Sequence, residues 1–190
     1  MFFDIGVGML IATFVGVLVG TETPTKFLAV GLIGALWPDF DFLWYVARRW
    51  ARGMRPLVDR WSTNHRDLLH RPLALTPLTT VIVEFIFGPP EALLFGCATI
   101  AHFVHDTIAH GWGIRWFWPF GSRFYVYRTV GSLPPRFYHW TREEQVAVVS
   151  RHGRDRWLKQ SYGRLSPELR IELAVFACGL TTVTAWYIWA

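Results

Sequence analysis

Two long apolar runs most constrain what this chain can fold into. Segment 1–20 carries one charged residue, Asp4, and segment 171–190 carries one, Glu172. Each matches the ~20 residues that a helix needs to cross a bilayer. Three further apolar runs lie at 27–47, 72–88 and 91–110. The pattern predicts an all-α, polytopic membrane bundle of about five membrane helices plus an interfacial or cytoplasmic helical segment.

The basic residues predict the orientation of this bundle. Of the 19 Lys and Arg residues, all but Lys26 fall within 48–71 and 115–170. With five crossings these two segments share one side, which the positive-inside rule assigns to the cytoplasm, together with the N-terminus. The net charge of +5 is therefore interpreted as orientation and attraction to anionic lipid, and no nucleic-acid partner is predicted.

Pro38 interrupts the second apolar run directly before two carboxylates, Asp39 and Asp41. The stretch before the break is only ~17 Å long as a helix, which is less than the ~30 Å hydrocarbon core. Either the helix continues with a kink, or the turn lies below the membrane surface and lines a cavity.

Two local signals predict helix starts in the last third of the chain. Thr141 and Glu144 form a capping box that opens a helix to about Lys159. Ser166 and Pro167 supply an N-cap and a first-turn proline for the last helix. The predicted organisation is a membrane-embedded core at 1–125, a basic aromatic cytoplasmic or interfacial segment at 126–165, and a C-terminal membrane helix at 166–190.

Four ligand-type side chains crowd the apolar run that ends near residue 110: His102, His105, Asp106 and His110. At 100° per residue, His102, Asp106 and His110 share one helix face. Such groups are unfavourable in an apolar helix unless they pair, face a wet cavity or bind a metal. A buried His–Asp pair is the alternative to metal ligation, and His105 and His110 are equally compatible with ligation and with a proton-shuttle role.

Further ionisable residues reach the same end of the predicted bundle. Imidazoles with carboxylates suit one or two divalent ions, zinc first, with manganese or iron as alternatives. A solvated turn at Asp39 and Asp41, or a headgroup-facing loop at His65 and His70, is the simpler alternative. The candidate metal ligands are Asp4, Asp39, Asp41, His65, His70, His102, Asp106 and His110, and the candidate catalytic residues are His65, Arg66 and His70.

Three motifs in order carry a family resemblance: GALWPDFD, NHRDLLH and HFVHDTIAHGWGIRWFWPF. They resemble the YdjM-like family of bacterial inner-membrane proteins, some of them regulated by LexA, to which metal-dependent hydrolysis is ascribed. The resemblance covers about residues 1–125. It implies a multi-pass inner-membrane location and, more distantly, a similarity to zinc-dependent phospholipase C. The residues to which it gives metal or catalytic roles are Asp39, Asp41, His65, His70, His102 and Asp106.

The chain departs from the family pattern at several positions. Phe42 stands where a His follows the second Asp, and Asp4 stands near a family His in the first helix. The resemblance therefore implies that Asp4 substitutes for that His, and that His105 or His110 offsets the ligand missing at Phe42.

Together these features predict a membrane-embedded metal-dependent hydrolase at the cytoplasmic membrane face. Its substrate would be a phosphoester of a phospholipid or lipid-linked molecule, with Arg66 or Arg71 holding the phosphate. The predicted partners are the bilayer and this lipid, and no cofactor beyond the metal is indicated. The alternatives are a membrane metal-binding or transport protein, a His-box oxidase-like bundle, and an acyl-ester lipid hydrolase.

Overall fold

The computed structural model describes residues 2–53, 66, 68–108, 112–127, 136–152 and 166–189. Helix dominates these ranges and confirms the predicted all-α class. A 3-10 turn at Trp37–Asp39 joins α2 to α3, and two short strands follow α5. The elements are α1 (Phe2–Val19), α2 (Pro24–Leu36), α3 (Phe40–Ala51), α4 (Pro72–Phe87), α5 (Pro89–Ile108), β1 (Phe124–Val126), β2 (Tyr138–Trp140), α6 (Arg142–His152) and α7 (Pro167–Trp189).

Among the described residues, three helical stretches are long and apolar enough to cross a membrane. They are α1, the continuous stretch Pro24–Ala51, and α7. Helix α4 is apolar but has 16 residues, and at 1.5 Å per residue its ~24 Å falls short of the hydrocarbon core. The membrane class therefore follows from the helices, while a count of five crossings stays a prediction.

The chain divides into two compact units. The first lies within Met1–Trp37, Thr76–His102 and Ser161–Ala190, and the second within Pro38–Leu75 and Phe103–Gln160. The divisions after Trp37 and after His102 fall inside continuous helical stretches.

In the first unit, α1 packs against α2 and α7. Glycines make this approach close: a Cβ added to Gly6 would lie 2.7 Å from backbone atoms of Val175 and Phe176. The apolar core of this unit includes Ala12, Val15, Val30, Leu94 and Trp186.

Pro38 breaks the backbone ladder of the second apolar stretch, and a side chain from α5 repairs it. Pro38 has no N–H to donate to the carbonyl of Gly34, and the Thr99 hydroxyl donates to that carbonyl instead, at 2.9 Å. The Trp37 indole N–H in turn donates to the Thr99 oxygen at 2.9 Å. The helical stretch therefore continues past Pro38 through a 3-10 turn, as in the first of the two predicted alternatives.

A small hairpin organises the second unit after α5. β1 pairs antiparallel with β2, with Phe124 opposite Trp140. The Trp140 indole and the Gln145 amide both donate to the Trp112 carbonyl, at 2.9 and 2.8 Å. No strand is predicted from the sequence, because three residues are too few to display an alternating pattern.

The local helix signals appear as predicted. The backbone N–H of Thr141 donates to Glu144 Oε2 at 2.8 Å, and the N–H of Glu144 donates to Thr141 Oγ1 at 3.3 Å, completing the capping box of α6. The predicted end of this helix near Lys159 lies outside the described residues. At the start of α7, Ser166 Oγ accepts from the N–H of Leu169 at 3.1 Å.

Candidate metal centre

His70 lies at the centre of a group of carboxylates in the second unit. Its side chain is 0 % exposed, and its Nδ1 is 3.0 Å from Asp41 Oδ2. Its Nε2 is 3.0 Å from Asp106 Oδ2 and 3.7 Å from Asp39 Oδ1. One ring nitrogen therefore contacts a single carboxylate, while the other faces two.

Local structure holds His70 in this place. The backbone N–H of Leu69 donates to the same Asp41 oxygen, at 3.3 Å, so one carboxylate fixes both the ring and the chain before it. Pro72 then starts α4 directly after the histidine. The Phe103 ring meets the imidazole edge-on at 5.9 Å between centroids.

A second buried histidine lies beside a carboxylate in the first unit. His102 on α5 and Asp4 on α1 are both buried, and His102 Nδ1 is 3.3 Å from Asp4 Oδ1. A carboxylate at one imidazole nitrogen sets the tautomer and orientation, which leaves the other nitrogen with a lone pair for a metal. Asp41 stands in this relation to His70 through its hydrogen bond, and Asp4 is the carboxylate beside His102 Nδ1.

His102 precedes Asp106 by one helical turn on the same helix, so both project from one face of α5. Within the second unit, the ligand atoms of Asp39, His70 and Asp106 all lie within 4.8 Å of one another. Two ligands bound to one zinc ion at ~2.0–2.2 Å are about 3–4 Å apart. Small side-chain movements would therefore bring this set of nitrogen and oxygen donors onto a divalent ion.

Charge also favours a cation at this centre. Asp39, Asp41 and Asp106 all contact His70, and the guanidinium of Arg66 donates to Asp106 Oδ1 from Nη2 at 2.7 Å. Three carboxylates against one guanidinium leave an excess of negative charge, which a divalent ion would balance. The residues present therefore fit a metal ion.

The same carboxylates perturb the imidazole itself. Burial opposes the charged form of His70, but the hydrogen bonds and charges of Asp106 and Asp41 outweigh it, so the pKa of His70 lies above its ordinary value. Without a metal, His70 therefore binds a proton more readily than an exposed histidine does.

Some of the predicted site residues lie at the centre around His70, and others do not. Arg71 lies with its guanidinium 4.1 Å from the Trp118 ring centroid, and His105, half-buried, is not among the grouped ligand candidates. His65 and His110 lie outside the described residues. Those that the second unit brings together are Asp39, Asp41, Arg66, His70 and Asp106. Asp4 and His102 lie together in the first unit.

Sequence reasoning missed an aromatic support behind the centre. The Trp116 indole donates to Thr107 Oγ1 at 2.7 Å, and its ring meets Phe103 edge-on at 6.4 Å. The aromatic stretch WGIRWFWPF at 112–120 has two parts: Trp112 and Ile114 are buried, whereas Phe117 and Phe120 are exposed. The hydroxyl directly after Asp106 is the only sequence signal for this contact.

A model of the family described as YdjM inner membrane protein matches residues 4–189. The chain belongs to this family. It is accordingly an inner membrane protein, and the predicted limit of the resemblance near residue 125 is wrong, since the match includes the hairpin and α7. No curated protein and no solved structure matches the chain. The motifs that suggested the YdjM family are the ones that supply Asp39, His70, His102 and Asp106.

Proposed function

We propose that this YdjM-family protein is a membrane-embedded metal-dependent hydrolase that cleaves a phosphoester of a phospholipid or lipid-linked substrate at the cytoplasmic membrane face. The observation that carries the proposal is the placement of His70, whose Nδ1 contacts Asp41 while its Nε2 faces Asp39 and Asp106. Structural ion pairs do not need this arrangement, whereas histidine ligands of metals regularly have it.

The position of each residue suggests its role as a metal ligand, an orienting carboxylate or a proton acceptor. Asp39, Asp106, His70 and His102 would hold the ion, zinc first, and Asp41 and Asp4 would orient the two imidazoles. A bound divalent ion supplies a water of lowered pKa and polarises the oxygen of the ester. Asp39 has a side chain that is 40 % exposed, so water and substrate would enter on its side, and its outer oxygen would accept the proton of the attacking water.

Charge placement supports the cytoplasmic face and a lipid substrate. The basic segments 48–71 and 115–170 flank the motifs that carry the centre, and the positive-inside rule assigns both to the cytoplasm. Arginines near headgroup level attract anionic lipid. The distant similarity to zinc-dependent phospholipase C points to the same reaction class by analogy alone.

The test is metal content together with hydrolysis in purified full-length protein. The His102→Ala, Asp106→Ala double variant should lose the divalent metal that the wild type keeps, and hydrolysis of lipid phosphoesters should fall about 100-fold or more with it. His139→Ala is the matched control, because His139 is exposed on β2 and contacts Arg123 rather than the centre.

Other outcomes discriminate the alternatives. Unchanged metal content in the double variant would rule out the centre. Release of fatty acid without any phosphoester cleavage would indicate an acyl-ester hydrolase, whereas metal uptake into proteoliposomes without hydrolysis would indicate a transporter. Iron with a visible absorption band would indicate an oxidase-like bundle.

A further inference from the structure

Arg66 has unused hydrogen-bonding capacity beside the carboxylate group. Its Nη2 donates to Asp106 Oδ1, at 2.7 Å, and its side chain is 14 % exposed. Its Nε and Nη1 are buried and have no hydrogen-bond partner within the part of the chain that the structure describes. A buried charged donor without an acceptor is unfavourable, so we expect a hydrogen-bond acceptor to bind beside these two nitrogens.

The geometry of a guanidinium restricts what that acceptor is. Its N–H groups form a planar fork that matches two oxygens of one carboxylate or phosphate. Asp106 presents Oδ1 to Arg66 and Oδ2 to His70, so this carboxylate already divides its oxygens between two partners. An oxyanion from outside the protein would meet the donors that remain.

The balance of charge gives Arg66 a second role in binding an anion. With a divalent ion bound, the positive charge of Arg66 offsets one of the carboxylate charges at the centre, which include those of Asp39, Asp41 and Asp106. Without that charge the centre is more negative and repels an anionic ligand more strongly. A neutral acyl ester does not depend on this balance.

We propose that Arg66 is the anion-recognition residue of the centre: its Nε and Nη1 bind non-bridging oxygens of a phosphoryl group and so select phosphoesters over acyl esters. The selectivity rests on the proposed hydrolase function, whereas binding of a phosphoryl group requires no turnover.

Orthophosphate binding tests the proposal directly. The purified, zinc-loaded, full-length protein would be titrated with orthophosphate by calorimetry, with metal content measured in parallel. Arg66→Met should weaken orthophosphate binding about tenfold or more, as expected for loss of a charge-assisted hydrogen-bonding pair, and leave zinc content unchanged. Arg66→Lys, which keeps the charge but not the fork, should show a smaller loss.

Arg123→Met is the matched control. Arg123 is exposed at the start of the hairpin, where its Nη1 lies 2.7 Å from His139 Nδ1, and its replacement should leave orthophosphate binding unaltered. Wild-type affinity for orthophosphate in Arg66→Met would overturn the proposal. Loss of zinc in both Arg66 variants would also overturn it, because Arg66 would then serve only to position Asp106.

The two proposals fail separately. If orthophosphate binding depends on Arg66 but no ester is cleaved, the hydrolase function fails and anion recognition stands. If lipid phosphoesters are cleaved with equal KM by wild type and Arg66→Met, the function stands and anion recognition fails. Should Arg66→Met not fold, Arg66→Lys decides the matter, since unchanged orthophosphate affinity in that variant would contradict the need for a fork.

Discussion

The imidazole of His70 shows why residue roles are harder to predict than residue identities. The sequence identifies His70, Asp39, Asp41 and Asp106 as ligand candidates by type and spacing. It does not indicate that Asp41 contacts Nδ1 while Asp39 and Asp106 face Nε2, because that depends on ring orientation and on folding across 29 or more residues of chain. The contact between Arg66 and Asp106 is not predictable from the sequence for the same reason, because 40 positions separate the two residues.

The raised pKa of His70 predicts how metal binding responds to pH. A proton and a metal ion compete for Nε2, so zinc affinity should fall as pH is lowered through the pKa of His70. The decline should begin above the ordinary value of 6.5, because Asp106 and Asp41 favour the protonated ring. Zinc affinity measured by chelator competition across neutral pH checks this.

Asp41→Asn provides the comparison for that measurement. It removes one of the charges that raise the pKa, so the decline should shift to lower pH, while zinc affinity at high pH weakens roughly 10–100-fold through loss of the orienting carboxylate. An identical pH midpoint in both proteins would contradict the assigned cause.

At the scale of elements, the long helices are predictable because each displays its pattern over many residues. The ends of α6 and α7 that carry the capping box and the serine N-cap follow from three or four consecutive positions. The hairpin is not predictable in this way, since β1 and β2 have three residues each and are not adjacent in the sequence. Pairing of this kind depends on the buried cluster of Trp112, Phe124 and Trp140.

Helix packing in the first unit gives a stability prediction. Gly6→Ala should destabilise the protein by about 1–3 kcal/mol, because the new Cβ would meet the backbone of α7, which cannot move aside as a flexible side chain would. Thermal unfolding in detergent, followed by tryptophan fluorescence, measures the effect.

Gly121→Ala serves as the control for that substitution. Its Cβ would have its nearest neighbour, the Cβ of Phe117, at 3.4 Å, an ordinary contact. Equal unfolding temperatures for the two variants would mean that α1 and α7 do not pack as closely as the structure has them.

At the scale of the whole molecule, the uneven distribution of Lys and Arg predicts membrane orientation. After Cys97 and Cys178, both exposed, are changed to Ser, Arg52→Cys should react with a membrane-impermeant maleimide only once the inner membrane is opened. Glu22→Cys, in the short connection between α1 and α2, should react in intact spheroplasts.

The opposite labelling pattern would reverse the orientation and place the metal centre on the outer face of the membrane. Labelling of both positions from one side would instead mean that Pro24–Ala51 does not span the bilayer.

The Thr99 hydroxyl, which donates to the carbonyl left free by Pro38, also restricts the number of residues between Thr99 and His102. Thr99 is tied to the Gly34 carbonyl, and His102 follows it by three residues, a rise of about 4.5 Å along α5. One residue inserted between Thr99 and His102 would leave the repair intact but rotate the imidazole by about 100° away from Asp4. This turn of α5 therefore cannot accept an insertion without loss of one of the two contacts, although loops elsewhere can. Here the number of residues between two side chains matters as much as their identity.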